Sequence, residues 1–170
     1  MKIALLGKAR SGKDTVGNMI RAFHDGYVMR IAFGDELRND FHERFQDIPI
    51  NPKPRKEYEQ YGQAMRDIDK DVWVKALDRF MRRWQKDADF VLTDLRQQNE
   101  ERWCRDNGFT IVRVVASDIN RRLRSVGEHF EVVNSSERQI HAIEHDYIIY
   151  NNTGLEDLEK QVKQLLKELS

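Results

Sequence analysis

The sequence predicts an α/β domain of three layers, with a five-stranded parallel sheet between helices. Two observations carry this. Short apolar runs recur along the chain with segments of helical spacing between them, the alternation expected of parallel strands joined by crossover helices. The first run also leads straight into a glycine-rich loop ending in lysine.

Ile3-Ala4-Leu5-Leu6, stopped by Gly7, suits a strand buried on both faces. Similar runs at residues 28–33, 90–93, 110–116 and 147–150 give the other strands. Residues 47–55 hold all three prolines, so neither a helix nor a central strand crosses them, and a surface loop is expected. A helix is expected at about 70–85. There Val72, Trp73, Ala76, Leu77, Phe80, Met81 and Trp84 form one apolar stripe behind Asp69 as cap. Thr153 and Glu156 have the spacing of a capping box before Leu155, Leu158, Val162, Leu165, Leu166 and Leu169, which predicts a final helix packed on the sheet.

Gly7-Lys8-Ala9-Arg10-Ser11-Gly12-Lys13-Asp14-Thr15 matches the spacing of a phosphate-binding P-loop. The fold expected is therefore that of the P-loop NTPases. A loop between a buried strand and a helix aims its backbone N–H groups and the positive helix end at one point, which suits phosphate oxygens. Ala9, Arg10, Ser11, Gly12, Lys13, Asp14 and Thr15 are the nucleotide-binding candidates. Lys13 is the first catalytic candidate, a point charge for the β- and γ-phosphates. Asp14 stands where a hydroxyl normally meets magnesium, and the hydroxyl comes one residue later, at Thr15. Either can be the metal contact.

Composition sets limits. At 170 residues one domain suffices. Twenty-nine basic residues balance 29 acidic ones, so no global field draws the chain to nucleic acid or to an anionic membrane. The single cysteine, Cys104, has no internal partner, and the five histidines lack zinc-site spacing. The start of the chain reads as neither a signal peptide nor a membrane span. A cytoplasmic protein is expected, and nothing in the sequence decides against a homodimer.

With the P-loop in place, nearly the whole chain resembles the phage-type deoxynucleoside monophosphate kinases, relatives of the phosphomevalonate and dephospho-coenzyme A kinases. The resemblance rests on the Gly-Lys-Asp-Thr ending, on Ala32-Phe33-Gly34-Asp35-Glu36-Leu37-Arg38, and on Gly62-Gln63-Ala64-Met65-Arg66 followed by Asp71-Val72-Trp73-Val74. Thr93-Asp94-Leu95-Arg96-Gln97-Gln98-Asn99-Glu100 resembles the family's Asp-Val-Arg-x-x-Asn-Glu stretch. Ser135-Ser136-Glu137 falls where a His-x-Ser-Glu is often seen, with the histidine replaced. Asp146-Tyr147-Ile148-Ile149-Tyr150-Asn151 resembles the strand and asparagine that lie near the adenine.

The resemblance implies ATP and Mg2+, a deoxynucleoside monophosphate as acceptor, and a lid at about residues 118–137. Arg121 and Arg124 lead its catalytic candidates, ahead of Arg122. In an open parallel sheet ligands collect at the strands' carboxyl ends, which draws in Asp35, Asp94 and Arg96. Asp35 would orient the acceptor or take its proton, and Arg38 and Arg66 would grip its phosphate. Asp94 would hold magnesium through water, or else cap the next helix, and Arg96 would contact substrate or phosphate. Trp73, Tyr58, Tyr61 and Phe41 are candidates to stack on the acceptor base, Tyr58 and Tyr61 ahead of the others and Trp73 reading more as core.

Three rivals stand beside this reading. One is a kinase of another acceptor: phosphomevalonate, dephospho-coenzyme A or AMP. Another is a nucleotide-dependent switch, against which count the missing Asn-Lys-x-Asp signature and the arginines near the acceptor positions. The third, a kinase fold turned to nucleic acid binding, fits poorly with zero net charge.

Overall fold

A computed structural model of the chain describes residues 1–84, 88–125 and 139–169. Five parallel strands form one sheet: β1 (Lys2–Leu6), β2 (Val28–Ile31), β3 (Asp89–Leu95), β4 (Thr110–Val115) and β5 (Tyr147–Tyr150). Their order is β2-β3-β1-β4-β5. In the central strand Ile3, Ala4, Leu5 and Leu6 are all fully buried. That double-sided burial is why the run is continuous rather than alternating.

The chain divides into two units, Met1–Ile31 with Lys86–Ser170, and Ala32–Gln85. The first holds the entire sheet with α1 (Lys13–Phe23), α5 (Gln98–Asp106), α6 (Asp118–Leu123) and α7 (Leu155–Glu168). Ile3, Leu5, Val91, Val112, Val114 and Ile149 meet Val16 and Ile20 of α1 and Leu158, Val162 and Leu165 of α7 in one buried cluster. Each such side chain contributes roughly 1.5–3 kcal/mol by leaving water. A Cβ on Gly17 would lie 2.9 Å from Thr93 Cγ2, so glycine there lets α1 sit close against β3.

The second unit is three helices, α2 (Phe33–Arg44), α3 (Arg55–Ile68) and α4 (Val72–Trp84). Phe41 centres it, with ring centroids 5.1 Å from Tyr58 and 5.4 Å from Tyr61. Trp73 is buried and its Nε1–H donates to Gly62 O at 3.4 Å, as its core reading expects. A Cβ at position 62 would come 2.5 Å from Leu37 Cδ1, so any larger residue there would have to displace the Leu37 side chain.

Several sequence expectations need correction. The run 28–33 is a strand only to Ile31: Ala32 is the cap and Phe33 opens α2, since Phe33, Leu37 and Phe41 share a helical stripe that is buried. Tyr58 is not a base-stacking surface. It is buried, and its hydroxyl is engaged with His42 Nε2 at 2.6 Å. Thr153 does not cap the last helix, which starts at Leu155 behind Gly154 without a side-chain cap. Asp94 does not cap α5 either. Gln97 does, in a reciprocal capping box with Glu100.

Candidate active site

Parallel strands put their carboxyl ends on one rim, and the register sets the neighbours there. Leu6 pairs with Leu95 on one side and with Arg113 on the other, and Val115 pairs with Tyr150. The rim of the first unit therefore carries, side by side, Asp94 and Arg96, then the P-loop, then the start of α6, then Asn151.

Within the P-loop the backbone turns into the left-handed region twice, at Arg10 (φ 64°) and Gly12 (φ 97°). Such alternation directs successive N–H groups into one concavity. Neither glycine can be replaced without movement. A Cβ on Gly7 would lie 2.4 Å from Val114 O, and one on Gly12 2.1 Å from Asn151 Nδ2. Lys13 is buried, and its ammonium donates to Gly7 O at 2.9 Å and Lys8 O at 3.1 Å. Asp14 and Thr15 are exposed on the first turn of α1.

The outer side of the loop is tied to α6 and to the end of β5. Arg121, 1% exposed, donates from Nε to Ala9 O at 2.8 Å and from its terminal nitrogen to Asp118 at 2.8 Å. Arg124 donates to Arg10 O at 3.2 Å, to Asn151 O at 2.9 Å and to Asn151 Oδ1 at 3.2 Å, and Arg10 answers with a 2.8 Å bond to Arg124 O. Asn151 Nδ2 donates to Ser11 O at 2.9 Å. Ala9, Arg10, Ser11, Arg121, Arg124 and Asn151, named separately from the sequence, thus form one bonded group. The rest of the expected lid, residues 126–137, lies outside the described residues, as do Ser135, Ser136 and Glu137.

Asp94 is half-buried near the end of β3, with Arg96 just beyond it. Glu100, buried at 5% exposure, accepts from the backbone N–H of Arg96 at 2.9 Å and of Gln97 at 3.0 Å. Glu100 was visible in the sequence only as part of a motif; its work here is to fix the backbone that presents Arg96.

Asp35, Arg38, Tyr61 and Arg66 belong to the second unit. Asp35 and Arg38 pair across one helical turn of α2. Tyr61 donates its hydroxyl to Asp40, and Arg66 is half-buried in the last turn of α3. Burial works to raise the Asp40 pKa, but the hydrogen bonds from Tyr61 and then Arg44 outweigh it and hold the carboxyl below its ordinary value. Glu36 is shifted the other way, raised first by burial and then by the charge of Asp35.

The first unit fits a phosphate ligand. Ser11 Oγ and Thr93 Oγ1 are buried hydroxyls with no hydrogen-bond partner, one in the P-loop and the other beside Asp94. Among the described residues no group of three or more His, Cys, Asp or Glu could hold a metal ion. A magnesium-like ion keeps most of its waters and leans on substrate phosphates with one or two protein oxygens, the kind of oxygen that Asp14, Thr15 and Asp94 carry.

The fold and this rim define a P-loop kinase. Across its full length the chain resembles TT1252 from Thermus thermophilus, at 16% identity and TM-score 0.60, with 98% of that chain covered. It resembles a gluconokinase from Sinorhizobium meliloti 1021 (16%, TM-score 0.58, 99% of this chain and 92% of that one). Shikimate kinase from Acinetobacter baumannii in complex with shikimate gives 16%, TM-score 0.59 and the same coverage. No curated protein sequence matches. The family model for deoxynucleotide monophosphate kinase matches residues 63–162, more than half of the sequence, and the chain belongs to that family. It is a phosphotransferase with a nucleotide-binding P-loop.

Proposed function

We propose that the protein transfers the γ-phosphoryl group of ATP to a deoxynucleoside monophosphate, giving the diphosphate. The observation that carries this is the braced P-loop with Lys13 at its base, in a chain whose family is that of the deoxynucleotide monophosphate kinases. The loop's N–H groups and Lys13 take the β- and γ-phosphates. An oxygen of the acceptor's phosphate attacks the γ-phosphorus in line; that bond forms as the bond to the ADP oxygen breaks, and no covalent enzyme intermediate is needed. Lys13 leaves the carbonyls of Gly7 and Lys8 for the phosphates and neutralises charge that builds on the leaving oxygen. Asp35 orients the acceptor, Arg38 and Arg66 hold its phosphate, and Tyr61 lines the base. Thr15, Asp14 and Asp94 are the groups that would hold Mg2+. When bound, that ion supplies charge neutralisation at the phosphate oxygens.

The test is ADP release with ATP and Mg2+ across a panel of dNMPs, NMPs, phosphomevalonate and dephospho-coenzyme A, beside Lys13→Ala. Turnover should depend on one or more dNMPs and fall by roughly 10²-fold or more in the variant. Turnover on another acceptor would replace the substrate assignment. Slow hydrolysis that no acceptor stimulates would favour a nucleotide switch.

A further inference from the structure

We propose that Asn152, through Asn120 and Ser117, is a positioning residue that sets the P-loop's N–H groups for phosphate; the inference rests on the nucleotide-binding role of that loop. Each peptide plane points its C=O and N–H in opposite directions. With the carbonyls of Ala9, Arg10 and Ser11 held by Arg121, Arg124 and Asn151, the N–H groups of Arg10, Ser11 and Gly12 are turned away from those side chains, and that of Ser11 donates to Lys8 O at 3.2 Å. The phosphate concavity is therefore only as fixed as those three side chains.

α6 is six residues long, far too short to hold its own shape in water. Its N-terminus is held from outside. Asn152 Oδ1 accepts from the backbone N–H of Ser117 at 2.6 Å, and Asn120 Nδ2 donates to Asn152 O at 3.1 Å and Oδ1 at 3.4 Å. Ser117 Oγ in turn caps Asn120 N at 3.2 Å. Two consecutive asparagines at the end of β5 thus divide the work: Asn151 grips the loop, and Asn152 grips the helix whose arginines grip the loop. The strand that leads into Asn151 is in this way bonded to the loop by two routes.

Three variants test this. Asn152→Ala removes the side-chain acceptor, Asn152→Asp keeps it, and Asn120→Ala removes only the donor to position 152. In the ligand-free protein, hydrogen exchange at the amides of Ser11 and Arg121, which donate to Lys8 O and Ser117 O, should quicken about tenfold in N152A, less in N120A, and return near the wild-type rate in N152D. With tripolyphosphate as probe, titration calorimetry should show about tenfold weaker binding for N152A, restored in N152D. In turnover the KM for ATP should rise and the KM for the acceptor should not. Unchanged exchange at these amides in a folded N152A, or N152D behaving like N152A, overturns the inference. If even the wild-type chain binds no tripolyphosphate, the kinase reading fails, and the exchange rates still decide the role of Asn152.

Discussion

A methyl group at position 12 would meet the Asn151 amide at 2.1 Å, on a backbone already turned to φ 97°. Gly12→Ala should therefore lose about 1–3 kcal/mol from the strained backbone alone and push Asn151 off Ser11 O. The measurable result is loss of ATP binding together with a lower melting temperature. Two carboxylates of α2 make a paired prediction with opposite signs. Asp40 ionises more readily in the folded chain, so its stabilisation is complete above the ordinary aspartate pKa near ~3.9 and drains away as pH falls through its lower folded value. Tyr61→Phe should thus be less stable than wild type at pH 7, the gap narrowing in acid. Glu36 holds its proton more tightly when folded, so its ionised form detracts from stability above that raised pKa. Glu36→Gln should be more stable than wild type at pH 7, and that advantage should shrink as pH falls. Urea unfolding at several pH values checks both.

At the scale of elements, α5 shows how a motif can be structural and functional at once. Glu100 closes the capping box on Gln97 and also holds the Arg96 backbone. Glu100→Ala should cost about 1–2 kcal/mol, and Glu100→Gln, which keeps an acceptor, less; chemical unfolding of the two variants measures the difference. No helix was expected over α3. Its two buried side positions are Tyr58 and Gly62, and a glycine packed against Leu37 gives no apolar signal. α7 was read correctly from its leucine stripe but with the wrong cap, because local spacing cannot register that Asn151 and Asn152 already commit the preceding loop to the P-loop and α6.

For the whole molecule, the sheet lies entirely within the first unit, and its middle strand has no exposed face. Hydrogen exchange should be slowest at β1, β3 and β4, the strands with neighbours on both sides, and faster at the edge strands β2 and β5. Equal rates across the sheet would show that its edge opens only with the whole.

By itself the sequence determined the strands, the phosphate loop and its lysine, because continuous apolar runs and the spacing of Gly7, Gly12 and Lys13 are local patterns with one physical solution. It also named the residues around the loop: Arg121, Arg124 and Asn151. Only the tertiary structure decided what those residues do. Their partners are backbone carbonyls more than a hundred positions away for Arg121 and Asn151, and a carbonyl has no residue identity for a motif to record. Asn152 was overlooked for the same reason, since it acts on a main-chain amide 35 positions away, whereas Glu100, visible only as part of a motif, acts on amides three and four residues away.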